Sequence, residues 1–281
     1  MNPLPPAVPD HRAGPDDWTV PDHRALVFRP RRSEYAVCVF VLNEGERVRR
    51  QLARMRPWLD RFDLIVADGG STDGATAPEA VAAAGAAALL VKTGPGRLSA
   101  QMRMALAFTL RRGYAGTVVM DGNDKDDPAA LPRFAAALAA GYDHVQGSRF
   151  VTGGRAVNTP LSRLLAIRLL HSPLLSLAAG FRYTDTTNGF RAYGRQLLLD
   201  PLVRPFRPVF SGYELHYYLA VRAARLGYGV CEVPVTRAYP ASGPVPTKIH
   251  GWRGNWGVLK TLAAACAGRW DPPAPAPRRA A

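Results

Sequence analysis

GTVVMDGNDKDDPAALPRFAAALAA, residues 116–140, decides the fold. Its first six residues form an apolar run that reads as a strand ending on Asp121. A polar loop follows, crowded with Asn123, Asp124, Lys125, Asp126 and Asp127. Pro128 then opens an alanine-rich stretch that predicts a helix over 129–140. Strand, polar loop and helix together make the half-unit of a parallel α/β sheet.

The same unit recurs on both sides. YAVCVFVL (35–42) is a continuous apolar run, as expected of a strand buried on both faces, and a helical pattern follows over 46–59. FDLIVAD (62–68) leads to a helix near 76–85. AALLVK (87–92) leads to one over 98–112, and DHVQGSRF (143–150) closes the series. The alternation predicts a mostly parallel, doubly wound sheet flanked by helices. Ligands of such sheets bind at the carboxyl ends of the strands. Three polar clusters fall there: Asn43-Glu44, Asp68 to Asp73, and Asp121 to Asp127.

Beyond residue 150 the pattern changes. A helix is expected over 160–178, then the polar segment TDTTNGFRAY (184–193), a helix over 213–226 and a late strand in YGVCEVPV (228–235). His171 lies on an apolar helix and reads as a hydrogen-bonded structural histidine in preference to an active-site residue. In the last helix, 252–267, Trp252, Trp256, Leu259 and Leu262 recur three and four apart. That face either packs on the protein's own core or makes peripheral contact with a membrane.

The 281 residues are 47% hydrophobic and 21% charged, enough for one sizeable core. Residues 1–33, with VPDHRA repeated at 8–13 and 20–25, read as an irregular arm, 34–270 as the domain, and 271–281 as a flexible tail. The N-terminus lacks an apolar signal segment, and no apolar run is read as a membrane span. The expected location is therefore cytoplasmic. Cys38, Cys231 and Cys266 show no zinc-ligand spacing. A net charge of +14 favours anionic partners. Nucleic acid is set aside, because no recognition helix, zinc module or RNA-binding aromatic signature is present.

Asp121 and Asn123 can present two oxygens to one hard cation, Mg²⁺ or Mn²⁺, with a substrate diphosphate completing the shell. A calcium EF-hand loop is excluded, since Asp126 stands where that loop needs glycine. A solvated acidic turn, with Asp126 or Asp127 capping the next helix, is the other reading. ADGGSTDG (67–74) is a glycine-rich loop after a strand, but neither a dinucleotide fingerprint nor a P-loop.

VFVLNEGERV, IVADGGSTDGA, VVMDGNDKDDP, VQGSRF, TDTTNGFRAY and VPTKI occur in order across residues 36–249. That order resembles the family 2 glycosyltransferases of GT-A fold, above all the dolichol-phosphate mannose synthases and related polyprenyl-phosphate glycosyltransferases. The resemblance implies that Asn43, Glu44 and Asp68 hold the nucleoside. Gly69 replaces the second aspartate of the family's Asp-Asp-Gly-Ser loop. Asp121 matches the first aspartate of the DxD motif, which holds the metal, and Asn123 takes the place of the second. Lys125 stands where the synthases often carry a metal-ligating glutamine. An ammonium cannot ligate a cation but can bind diphosphate as a point charge. Either Asp121 and Asn123 keep a weakened metal, the preferred reading, or Lys125 takes over part of its role.

Ser148 and Arg149 match the synthases' acceptor-phosphate motif, and Arg163 matches a second phosphate-contacting arginine. Ile167 stands in place of a serine. In TDTTNGFRAY the candidates are Asp185, Asn188 and Arg191. Asp185 is expected either to position the donor sugar or to hold Arg191, and Arg191 to serve the acceptor. Gly189 marks a position that a side chain would obstruct. Arg237 and Lys248 fall where the family places basic groups around the donor phosphates. Glu214 falls near the family's acceptor and would be the general base for an alcohol.

The resemblance thus implies hexosyl transfer from a nucleotide-diphospho-sugar to a phosphate acceptor, polyprenyl phosphate foremost, by inverting displacement. The alternative is a soluble enzyme acting on a diffusible small-molecule alcohol or amine, with Glu214 as base.

Overall fold

The computed structural model describes residues 18–242 and 251–273. Lys248 lies outside them. An eight-stranded sheet runs through the domain in the order β1-β4-β3-β2-β5-β8-β6-β9. Its strands are β1 (His23–Val27), β2 (Tyr35–Val41), β3 (Phe62–Asp68), β4 (Ala88–Lys92), β5 (Gly116–Asp121), β6 (His144–Ser148), β8 (Arg191–Gly194) and β9 (Val230–Pro234). Strands β2 to β5 are mutually parallel, as are β6 and β9. The predicted doubly wound, mostly parallel sheet is therefore present. Two strands break the rule. β8, which begins inside TDTTNGFRAY, runs antiparallel between β5 and β6. β1 closes the edge antiparallel to β4.

β1 corrects the reading of 1–33 as an irregular arm, because His23–Val27 pair in register with Ala88–Lys92. Trp18 also stacks on Phe206, with ring centroids 4.1 Å apart. At the other end Asp271 is tied to Arg222 at 3.2 Å, so the expected tail is held at its start.

Alternation along β2 builds two cores. Ala36, Cys38 and Phe40 face one, with Met102, Leu106 and Phe108 of α3 (Leu98–Arg111) and Leu215 and Leu219 of α8 (Glu214–Arg225). Val37, Val39 and Val41 face the other. There α1 (Glu46–Met55) buries Val48, Leu52 and Met55 and turns its arginines outward. α2 (Pro78–Ala83) and α4 (Leu131–Ala139) share that face.

The helix expected over 160–178 is continuous from Leu161 to Ala179, as α5 (Leu161–Ala166), a π turn (Ile167–His171) and α6 (Ser172–Ala179). It is long and apolar enough to cross a membrane by length and composition, which corrects the reading that no such stretch exists. His171 is buried within it and stacks toward Tyr217, but its Nδ1 finds no hydrogen-bond partner among the described residues, so the hydrogen-bonded structural histidine expected there is buried without that bond. α9 (Gly251–Cys266) packs on α6 and α8. The face read on this last helix divides: Leu262 is buried in a third cluster, while Trp256 is exposed. α7 is the short helix Arg195–Leu199. β7 (Arg155–Val157) and β10 (Thr236–Ala238) form a separate parallel pair beside the site.

Candidate active site

The site lies where the sheet switches direction. β2 has β3 on one side and β5 on the other, with Val41 opposite Asp68 and Phe40 opposite Asp121. The loops after these three strands therefore meet at one end of the sheet, as doubly wound folds require of a binding crevice.

Asp68 organises the glycine-rich loop. Its Oδ1 accepts from Gly70 N (2.9 Å), Ser71 N (2.7 Å) and Ser71 Oγ (2.8 Å), and Thr76 donates to its Oδ2. Both oxygens are engaged inside the loop, so the geometry gives Asp68 a shaping role beside the nucleoside role implied for it. Gly69 replaces the family's second aspartate where a Cβ would stand 3.3 Å from the Val41 carbonyl. Asn43, in the left-handed region at φ 49°, accepts from Thr72 N at 2.8 Å. Glu44 is buried and paired with Arg47 at 2.9 Å.

The four aspartates of 121–127 divide into two pairs. Asp124 and Asp127 face outward, where Arg54 reaches both at 2.9 and 3.0 Å. Asp127 also caps the turn at Pro128 by accepting from Ala129 N, so the capping reading holds for that residue. Asp121 and Asp126 face inward and share Arg237. Its Nη2 lies 3.1 Å from Asp121 Oδ2, its Nη1 reaches Asp126, and Nη1 also donates to Asn188 Oδ1 at 3.2 Å. Strand β10 aims this arginine, since Asp127 N bonds to Thr236 O and Ala238 N to Lys125 O. Gln51 of α1 pins the loop from beneath, bonding the Asp121 carbonyl and the Asp124 N–H at 2.8 Å each.

Charges in this cluster act on one another strongly. Burial pushes the Asp121 carboxyl up, but Arg237 and Lys125 outweigh it and hold it below the ordinary range. Burial and the nearby Arg237 bring the Lys125 amine down to about 8. Buried Asp126 is raised by desolvation, and buried Arg237 is held charged by its two carboxylates.

The acceptor-side candidates adjoin this cluster. Arg149 is buried and forks onto Asp185, Nε to Oδ2 at 2.6 Å and Nη2 to Oδ1 at 2.8 Å. Its Nη1 is buried with no hydrogen-bond partner among the described residues. Asp185 therefore holds Arg149, correcting the expectation that it holds Arg191. Arg191 is buried and donates to the carbonyls of Thr186, Asn188 and His216, at 2.7, 2.9 and 2.6 Å. Those bonds staple the 184–193 loop, so the geometry gives Arg191 a loop-holding role beside the acceptor role implied for it. Ser148 Oγ shares a hydrogen bond with Thr184 at 2.6 Å. Glu214 accepts from Gly212 N at 2.7 Å and shapes the turn before α8.

Tyr239 was missed in the sequence. Its hydroxyl accepts from Arg163 Nη1 at 2.9 Å, and Lys125 Nζ lies 5.2 Å from its ring centroid. One buried tyrosine thus joins Lys125, a donor-phosphate candidate, to Arg163, an acceptor-phosphate candidate. The signal was its spacing: residues two apart in an extended chain share a face, and Arg237 stands two before it.

Asp121 Oδ1 tests whether a metal fits. Oδ2 takes Arg237, whereas Oδ1 accepts no hydrogen bond among the described residues. Gly189 keeps that oxygen open, because a Cβ there would stand 3.2 Å from it. Asn123 sits beside it, its amide nitrogen 3.4 Å from Oδ2. No group of three or more His, Cys, Asp or Glu side chains gathers among the described residues. The residues fit a divalent ion that takes few oxygens from the protein, Asp121 Oδ1 foremost with Asn123 beside it, and its remaining ligands from a diphosphate and water.

The fold and the strand-end carboxylate define a GT-A-type glycosyltransferase. Among solved structures of this fold, glucosyl-3-phosphoglycerate synthase from Mycobacterium tuberculosis in complex with UDP matches with a TM-score of 0.59 at 22% identity, over 83% of this chain and 80% of that one. Its complex with Mn²⁺, UDP-glucose and phosphoglyceric acid matches with a TM-score of 0.58 at 22% identity, over 83% and 79%. The chain belongs to glycosyl transferase family 2, whose pattern matches residues 36–200. It is 31% identical to the undecaprenyl-phosphate mannosyltransferase of Micrococcus luteus, over 82% of this chain and 93% of that protein. It is 32% identical to the polyprenol monophosphomannose synthase of Mycolicibacterium smegmatis, over 82% and 84%.

Proposed function

We propose that the enzyme transfers a hexosyl group from a nucleotide-diphospho-sugar to a polyprenyl phosphate by a single inverting displacement. An acceptor phosphate oxygen forms a bond to the anomeric carbon as the bond to the diphosphate breaks, and the nucleoside diphosphate leaves. The observation that carries this reading is Arg149: a buried guanidinium nitrogen without a partner among the described residues, beside Arg237 and Tyr239, is suited to an anion. A phosphate acceptor is already anionic and needs no base, which agrees with Glu214 being engaged at Gly212. The alcohol-accepting alternative is not favoured, since one relative is named an undecaprenyl-phosphate mannosyltransferase and the other a polyprenol monophosphomannose synthase.

Lys125 and Arg237 offset charge on the leaving diphosphate, with Lys248 assigned to the same task. Asp121 and Asn123 would hold Mg²⁺ or Mn²⁺, which when bound stabilises that same charge. Asn43, Glu44 and the loop shaped by Asp68 receive the nucleoside. Ser148, Arg149 and Arg163 receive the acceptor phosphate. The donor is water-soluble and the acceptor membrane-borne, so the enzyme works from the cytoplasm at the inner membrane face.

The test is to incubate the purified protein with labelled GDP-mannose or UDP-glucose and polyprenyl phosphate in detergent. The mannosyl donor comes first, because both relatives are mannosyl enzymes. Label in an organic-extractable product supports the reading. Label transferred only to water-soluble alcohols, or not at all, refutes it.

A further inference from the structure

The helix from Leu161 to Ala179 faces two ways. Inward, Leu175 and Ala179 are buried against Tyr217 and Val221 of α8 and Leu262 of α9. Outward, Leu161, Leu165, Leu169 and Leu177 are 67%, 48%, 73% and 85% exposed. Residues four apart drift by about 40° per step around an α-helix. The π turn at Ile167–His171 is wider and takes back part of that drift, so the leucines keep to one side for longer. Such an apolar face is rare on a domain that stays in water.

Its charge identifies what covers it. Between Asp143 and Asp185 the chain carries five arginines and no acidic residue. Arg168 and Arg182 are exposed on and just beyond the helix. Leucines with the exposed Arg168 and Arg182 beside them complement an anionic lipid surface. The packing of the inner side onto α8 and α9 keeps the helix on the domain, so it lies in the interface and does not cross it.

We propose that the outer face of this helix is the membrane-docking surface of the enzyme, and that its occupant is an anionic phospholipid bilayer. The proposal rests on the polyprenyl-phosphate reading in one respect. The same helix carries Arg163, which bonds Tyr239 at the site, so docking would bring a membrane-borne phosphate to that arginine.

The experiment is co-sedimentation of the full chain with vesicles of phosphatidylcholine, with and without phosphatidylglycerol. Binding is expected with phosphatidylglycerol, and about tenfold or more weaker without it. Leu165→Gln/Leu169→Gln/Leu177→Gln should lose binding by a similar factor, with its melting temperature kept because these side chains are exposed. Arg168→Glu should weaken the preference for anionic vesicles. Wild-type protein left in the supernatant, or a triple variant that sediments like wild type, overturns the proposal. So does a wild-type dimer that the triple variant splits, without vesicle binding. Transfer to a short, water-soluble prenyl phosphate without membranes keeps the two readings apart. Transfer without vesicle binding defeats docking alone, whereas vesicle binding without transfer to any prenyl phosphate upholds docking and defeats the proposed reaction.

Discussion

Arg237 Nη2 and Asp121 Oδ2 lie 3.1 Å apart, and the same guanidinium holds Asp126 with its other end. The strand-end carboxylate is therefore half-neutralised by the protein before any ligand arrives. Asp126 is fully buried and owes its compensation to this arginine. Arg237→Ala leaves that carboxylate unpaired and should lower the unfolding free energy by about 3–5 kcal/mol, read by urea denaturation at neutral pH. Arg237→Lys keeps a charge without the fork and should fall between the two. An alanine variant as stable as wild type would contradict the clamp.

Lys125 predicts a pH profile. Below about 8 its amine is an ammonium and would attract the donor diphosphate of the proposed reaction; above that it is neutral and would not. The rate constant kcat/KM for the nucleotide sugar should therefore fall as pH rises through about 8, since that ratio reports groups of the free enzyme. Lys125→Arg stays charged across this range and should remove the alkaline fall. Superimposable profiles for the two proteins would show that another group sets the limb.

Most of the sheet was legible because β2 and β3 are buried on both faces and so read as unbroken apolar runs. β8 was not, because its four residues, Arg191 to Gly194, carry an arginine and a glycine and look like loop. β1 escaped because HRALV on a sheet edge has only one fully buried residue. In the site, Asp121, Lys125 and Arg237 could be named from motif order alone. Their pairing could not, because Asp126 and Arg237 are 111 residues apart and meet only when β10 lies along the acidic loop. The partner of Asp185 was misjudged for the same reason. Of its two expected tasks, positioning the donor sugar or holding Arg191, the second named the wrong arginine, because Arg149 follows directly on β6 and is brought to Asp185 only by the fold.

Gly189 gives a test of the metal. Gly189→Ala places a methyl 3.2 Å from Asp121 Oδ1, the carboxylate oxygen left open to a cation. The backbone there is not in the left-handed region, so the fold should persist. Wild type should show a nucleoside-diphosphate-dependent thermal shift that Mn²⁺ enlarges and a chelator reduces. In Gly189→Ala the Mn²⁺ increment should shrink, while the shift with nucleotide and chelator stays. An unchanged Mn²⁺ increment would mean that Asp121 Oδ1 does not face the ion.

Glu214 separates the two acceptor chemistries. Its carboxylate accepts Gly212 N at 2.7 Å, and a glutamine amide oxygen can accept the same bond, so Glu214→Gln should fold normally. General-base loss costs ~10²–10⁴ in rate, because an alcohol must shed its proton as it attacks. A phosphate oxygen has already lost its proton near neutral pH. The expected effect of Glu214→Gln on kcat with polyprenyl phosphate is therefore less than about tenfold. The check is a steady-state assay of both proteins at saturating donor, with melting temperatures measured alongside. A loss of a hundredfold or more in a correctly folded variant would return the base to the mechanism and reopen the alcohol acceptor.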